Sequence, residues 1–444
     1  MDSPEQKNLT VVVEGIGDVV QRNYAPALKM EKNRYGGRLS IYFSDYGKNR
    51  TEEATKKYQK FIDTLDGWAV YINKATPDGQ ALYDSLKPNV VFVATPDRTH
   101  VELALKWLDG KNDCEHLFIE KPLDADIDKA RALDFYLENK NFDVHALDHY
   151  LARFIPVSYS SSMRTILGEL GGSIQHLSFY LLEDRSAPFI GPIEKEGRGG
   201  SLQNGLILDL FPHALAILGY FGSVSSVKIT GLKVGRYSYE DENKTIVPAS
   251  IPRETFGHIS FNFTGRAERT IPADAYVGKG ISGSTAAGME NSDVKLLELL
   301  GKNGKKCVFD LRNTNRGGTG SVKMISKGGQ AEVINELFDE PYTVLINRTV
   351  DKYLKSPEKD LRFSLSVEQA KNILTCIQEI TSLVSLFEKT GTEIPSYRIK
   401  TSTEGKEPVS VAPSLEEVMA QLKDTKDIIG IDKLLMSYEN AQKN

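Results

Sequence analysis

The chain has 444 residues, 40% of them hydrophobic and 26% charged, with a formal net charge of -5. That length exceeds the size at which one core stops growing, so two domains are expected, and the mixed charge excludes a basic face for nucleic acid. Cys114, Cys307 and Cys376 are scattered, which excludes a disulfide framework or zinc cluster; with no export signal and no apolar run of membrane length, a cytoplasmic protein is expected.

The first strand is read from Leu9 to Val13, a continuous β-branched run of the kind buried on both faces of a sheet. It enters EGIGDVV, where Gly15 and Gly17, with Ile16, Asp18 and Val19, occupy the places of a nucleotide-binding turn. In such a turn the first two glycines let the backbone bend tightly and approach a pyrophosphate, while the following helix offers free N–H groups and a favourable dipole. Val20 stands where a third glycine serves helix–strand packing, so it is expected to shift the helix without abolishing binding. Glu14 sets a carboxylate beside the turn, and is expected to point away from the phosphates or to carry a proton. By itself, Gly-x-Gly also describes a plain tight turn.

A helix, QRNYAPALKMEKN, and a second strand, LSIYFSD, follow. The strand ends at Ser44 and Asp45; an acid there accepts hydrogen bonds from the adenosine ribose and favours NAD, whereas Lys48 and Arg50 just beyond suit the 2′-phosphate of NADP. Next come helix TEEATKKYQKFIDTL, a strand near WAVYI, a helix near DGQALYDSL, and the strongest strand, NVVFVAT. Helix HVELALKWLDG, strand HLFIE, helix DADIDKARALDFYLENK and strand FDVHALD complete the run. This alternation predicts a doubly wound parallel sheet, a Rossmann dinucleotide-binding domain over residues 8–150. Thr95 and Pro96 end the central strand, His100 opens the next helix, and Glu120-Lys121-Pro122 ends the following strand, at the rim where ligands gather. A lysine before a proline turn is otherwise a common surface feature.

After residue 150 long strands replace the alternation: SIQHLSFYLLE, SVSSVKITGLKVG, TFGHISFNFTG, KKCVFDLR and SVKMIS. They predict an α+β domain over 151–400 on a large, mostly antiparallel open sheet, with a late helix at 366–388 and a tail, 401–444, read as an arm, an oligomer contact or a partly disordered segment. In GRGGSLQNGLILDLFPHAL, Asp209 and His213 are four apart and share a helix face. Oxidising an alcohol needs a base for the hydroxyl proton, which a histidine supplies near neutrality, and a lysine beside the same oxygen favours its negative charge. The same two residues also read as a helix cap and a core histidine. Asp148, His149 and Tyr150 suit substrate hydroxyls or, through His149 and Arg153, a phosphate; a strand-ending turn is the alternative. Gln203 and Asn204 are further donors for a polyhydroxylated ligand, while His116, His145, His176 and His258 are given structural readings and no metal spacing is found.

VVFVATPDRTHVELALKWLDG followed by HLFIEKPLDADIDKA resembles the Gfo/Idh/MocA family of sugar and cyclitol oxidoreductases. GDVVQRNYAPAL, EKPLDAD and DHYL are also similar to glucose-6-phosphate dehydrogenases, although Glu14 replaces a glycine of their turn and Ala152-Arg153-Phe154 replaces their Gly-Lys-Glu. The resemblance implies an NAD(P)-dependent oxidoreductase with a Lys121, Asp209 and His213 set, a sugar or cyclitol substrate, and a homo-oligomer, dimer or tetramer. Within it, a sugar-phosphate dehydrogenase and a redox-neutral, NAD-retaining lyase or glycosidase remain open, as does a binding protein without turnover.

Overall fold

The computed structural model describes residues 7–45, 52–109, 114–138, 142–148, 150–151, 154, 161–183, 206–240, 246–248, 256–279, 294–312, 321–336, 341–355, 364–389, 396–402, 409–411, 415–416 and 419–420. The chain forms two compact units, one of residues 1–155 with 339–371, the other of 156–338 with 372–444.

The first unit is built on β1 (Leu9–Glu14), β2 (Leu39–Asp45), β3 (Val70–Asn73), β4 (Val90–Val93), β5 (His116–Ile119) and β6 (Asp143–Leu147). These strands are parallel, in the order β6-β5-β4-β1-β2-β3, so the strand order reverses between β1 and β4. Between them run α1 (Ala25–Tyr35), α2 (Glu52–Asp63), α3 (Pro77–Ser85), α4 (His100–Trp107) and α5 (Ile127–Leu137). Val11, Val13, Phe43, Phe92 and Phe118 are fully buried, as strands covered on both faces require.

The chain leaves this unit near residue 155, close to the expected boundary, and returns to it over residues 339–371. Helix Pro341–Leu354 packs on α1, where Tyr35 donates to Asp351 and Asn347 donates to Glu31 at 2.9 Å. A short strand, Ser364–Ser366, then pairs antiparallel with β6 and caps the sheet edge.

The second unit carries an 11-stranded sheet among the described residues. Its neighbours are antiparallel apart from Ile174–Glu183 against Thr270–Lys279, and Gly222–Glu240 against Ser396–Ser402. One face buries Leu177, Phe179, Ile259, Phe261, Ala275 and Leu297, and helix Leu206–Phe221 packs on the sheet, with Phe211 edge-on to Phe261. The alternate residues are half-buried and polar or aromatic, with the rings of His258, Tyr276 and Tyr180 stacked across three strands. No helix among the described residues is long and apolar enough to cross a membrane.

The histidines given structural readings form two His–Asp–His clusters. In the first unit, His116 and His145 reach the two oxygens of Asp143 at 2.6 and 2.5 Å, at the start of the strands and away from the ligand rim. In the second, His258 and His176 hold Asp274 at 2.8 and 3.0 Å. Burial alone raises the Asp143 carboxyl, but the close approach of both histidines outweighs it and holds Asp143 below the ordinary carboxylate range. A depressed folded value means stability that is present above the unfolded value, about 3.9, and lost as pH falls through the folded one. Between about pH 5 and about pH 3, the urea midpoint of the wild type is therefore expected to fall more steeply than that of Asp143→Asn. Parallel slopes contradict the assignment.

Candidate functional site

The turn after β1 is wedged between its neighbours. Gly15 has φ +97°, and a Cβ there meets the Ala94 carbonyl oxygen at 2.6 Å, so only glycine fits. Its N–H donates to the Ser44 carbonyl at 2.8 Å, and Ala94 N–H donates to the Glu14 carbonyl at 3.0 Å. Gly17 differs, since a Cβ there meets no atom within 4 Å. Its missing side chain leaves open space at the start of a helix, where the free N–H groups of the first turn can take a phosphate. Val20 is fully buried, and the helix widens into a π turn over Val20–Tyr24, with Ala25 N–H on the Val20 carbonyl. Pro26 explains the widening: it has no N–H to give, and its ring crowds the carbonyl one turn back.

Glu14 points away from the turn into a closed cage. One oxygen, Oε2, accepts from Lys74 Nζ at 2.6 Å and Ser44 Oγ at 2.6 Å. The other accepts from Trp107 Nε1 at 2.9 Å and from the Tyr83 hydroxyl. The Lys74 and Glu14 side chains are only 1% and 0% exposed, so the charge lies in the interior with its counter-charge. Ser44, read above as a cofactor contact, turns its hydroxyl into this cage. Side chains alternate along a strand, so Asp45 takes the opposite direction and stays half-buried at the β2 end. The sequence named Glu14 but not Lys74, Tyr83 or Trp107, which come from separate elements at no fixed spacing.

Around the turn, Ile16 is buried and its carbonyl accepts from Gln21 at 2.7 Å, whereas Val19 is exposed. Asp18, the acid nearest the helix start, is paired with Lys57 at 2.6 Å and Arg22 at 3.0 Å, which offsets its charge beside an anion site.

The strand-end rim of β4 and β5 is stitched together by α4. The buried His100 ring lies between two carbonyl oxygens, with Nε2 2.8 Å from Thr95 and Nδ1 2.8 Å from Pro122. Val101 N–H donates to Asp124 at 3.1 Å, so the carboxylate of the EKPLDAD segment caps this helix. His100 therefore shapes the rim with its side chain rather than reaching out from it. Pro96 is exposed and Thr95 and Lys121 are half-buried at the same rim, with the Lys121–Pro122 peptide cis.

Glu120, beneath Lys121, is buried and accepts from Tyr24 at 2.8 Å and Tyr342 at 2.9 Å. Burial, followed by the negative charge of Glu120, pushes both phenols well above their ordinary range, so both remain donors. Neither tyrosine was singled out in the sequence. Asp148, expected to bind substrate, is buried and accepts the N–H groups of Tyr150 and Leu151 at 3.0 and 2.9 Å, which makes it the cap of the turn that follows β6.

In the second unit, Asp209 stands in the first turn of helix Leu206–Phe221 and the buried His213 one turn later, as their spacing predicts. Lys48, Arg50, His149, Arg153, Gln203 and Asn204 lie outside the described residues. Burial pushes the thiols of Cys114, Cys307 and Cys376 up to about 12, so none is a nucleophile near neutrality. No group of three or more His, Cys, Asp or Glu among the described residues could hold a metal ion.

Residues 9–146 match the Gfo/Idh/MocA family model, described as an oxidoreductase family with an NAD-binding Rossmann fold. Residues 9–146 are therefore similar to the NAD-binding domain of that family. A curated relative named oxidoreductase P35, from Formosa agariphila, is 26% identical over 174 residues, which are 37% of this chain and 51% of that protein. The match thus spans about half the length of that relative. Solved structures share the two-domain fold at low identity. The UDP-N-acetylglucosamine 3-dehydrogenase GnnA of Acidithiobacillus ferrooxidans superposes with a TM-score of 0.52 at 13% identity, over 86% of this chain and 99% of its own. The 3-ketoreductase KijD10 of Actinomadura kijaniata, crystallised with TDP-benzene and NADP, gives 0.53 at 15% identity, over 89% and 100%.

Gly15→Ala puts a Cβ against the Ala94 backbone at a positive φ, so it is expected to cost about 1–3 kcal/mol of stability or more. Gly17→Ala is expected to leave stability nearly unchanged. Denaturant unfolding of both variants checks the contrast, and equal losses contradict this reading of the turn.

Proposed function

We propose that the chain is an NAD(P)-dependent oxidoreductase that moves a hydride between the nicotinamide and a secondary alcohol or ketone of a sugar, cyclitol or sugar derivative. The observation that carries this reading is the pairing of a clear phosphate turn with Lys121 on the rim of the same sheet. The open space at Gly17 and the caged Glu14 fit a pyrophosphate. Asp45 fits the adenosine ribose, and so favours NAD over NADP.

Bound there, the nicotinamide supplies the hydride acceptor or donor. Lys121 then hydrogen-bonds the substrate oxygen and favours its developing negative charge. His213 takes the hydroxyl proton as base, and Asp209, one turn away on its helix, accepts from a substrate hydroxyl or orients the histidine. One structural neighbour is named a UDP-N-acetylglucosamine 3-dehydrogenase and another a 3-ketoreductase in complex with TDP-benzene, which supports a nucleotide-linked sugar derivative as the substrate class. The half-buried face with the His258, Tyr276 and Tyr180 stack is the surface proposed for self-association.

Titration with NADH and NADPH, followed by nicotinamide fluorescence, tests the reading. NADH is expected to bind more tightly, Asp45→Ala to lose that preference, and Gly17→Val to weaken both by about tenfold or more, roughly 1.4 kcal/mol. Lys121→Ala is expected to keep dinucleotide binding while losing turnover in a screen of sugars, cyclitols and nucleotide sugars. Failure of the wild type to bind either dinucleotide sinks the proposal.

A further inference from the structure

Three segments far apart in the chain converge on the residue before Lys121. Glu120 Oε1 accepts from the hydroxyls of Tyr24, in the π turn, and Tyr342, at the start of the returning helix, at 2.8 and 2.9 Å. The other oxygen accepts the backbone N–H of Lys121 itself, at 3.2 Å. The two tyrosine rings pack together at 5.0 Å, and Tyr24 lies edge-on to Phe92 of β4 at 5.4 Å. Both hydroxyls are buried with their acceptor, so neither has water as an alternative partner.

This is more than a core requires. A carboxylate next to a rim lysine would, if mobile, fold back on its ammonium and hold it away from a ligand. Two donors on one oxygen occupy that oxygen and fix the plane of the group. The second oxygen then fixes the Lys121 backbone at the end of β5, and with it the direction in which the side chain leaves the sheet.

We propose that Tyr24 and Tyr342 are positioning residues that lock Glu120 and thereby set Lys121 for its work at the rim. The catalytic part of this inference rests on the role of Lys121 proposed above. The clamp itself is testable without a substrate.

Reductive methylation of the full-length protein with isotopically labelled formaldehyde gives each lysine a resonance, and the Lys121 signal is the one missing in Lys121→Arg. Its titration midpoint is compared in the wild type, Tyr342→Phe, the Tyr24→Phe/Tyr342→Phe pair, and Glu120→Gln. Phenylalanine keeps the ring packing and removes only the donors. With the donors gone, the Glu120 charge is less compensated and favours the ammonium, so the midpoint is expected to rise by about half a pH unit in the double variant and by less in Tyr342→Phe. Glu120→Gln, which removes the charge, is expected to lower it. NADH binding is expected to stay within about twofold of wild type in the two tyrosine variants.

A purely structural hydrogen bond lowers thermal stability in these variants and leaves the Lys121 midpoint in place, which overturns the proposal. If the double variant does not fold, Tyr342→Phe alone decides. A wild type that binds no NADH but shows the midpoint shifts refutes the oxidoreductase reading and keeps the clamp, so the two failures are distinct.

Discussion

A carboxylate buried beneath the phosphate turn is the constraint on which the first unit depends. Glu14 ends β1, and its four donors come from β2, the segment just after β3, α3 and α4, so one side chain ties together much of the sheet and its covering layer. Removing such a charge from water costs several kcal/mol, and the cost is offset only when its counter-charge and hydrogen bonds are all in place. That completeness sets the end of β1 from below. It forces the backbone up through Gly15, whose φ of +97° and close approach to Ala94 exclude any other residue. The negative group that looked hostile to a dinucleotide is thus part of what holds the turn in shape.

From this fixed point the rim is assembled by contacts between loops rather than within them. The strand order reverses between β1 and β4, the place where an open sheet leaves a crevice. His100 and Asp124 join the loops after β4 and β5, and Tyr24 and Tyr342 hold the carboxylate beside Lys121. Apart from the part-buried contact of His100 with the Thr95 carbonyl, each link is buried, so water does not compete for it. Lys121 and Asp45, both half-buried, lie at the ends of strands whose following loops are held in place by these contacts.

Much of this was legible in the sequence because the first unit alternates apolar strands with amphipathic helices, and period and length separate the two. The large second sheet announced itself in the same way, through long alternating strands. What was hidden depends on contacts that no local pattern encodes. The late helix Pro341–Leu354 has an apolar face that would suit either unit, so its return to α1 could not be read from periodicity. Tyr342 meets Glu120 across 222 positions of sequence. Ser44 donates its hydroxyl to Glu14, and strand alternation turns the half-buried Asp45 the other way. Asp148 caps the turn after β6 with one carboxylate oxygen, a contact between neighbours in sequence that a strand-ending turn suggests.

The most direct measurement is the affinity for NADH together with the unfolding free energy of Glu14→Gln, which keeps shape and removes charge. A caged Glu14 predicts affinity within about twofold of wild type and a loss of about 3 kcal/mol of stability or more, since the amide cannot accept from all four donors and leaves Lys74 buried without its counter-charge. Affinity that rises by about tenfold at unchanged stability would instead show the Glu14 charge facing the phosphates, and would contradict the cage.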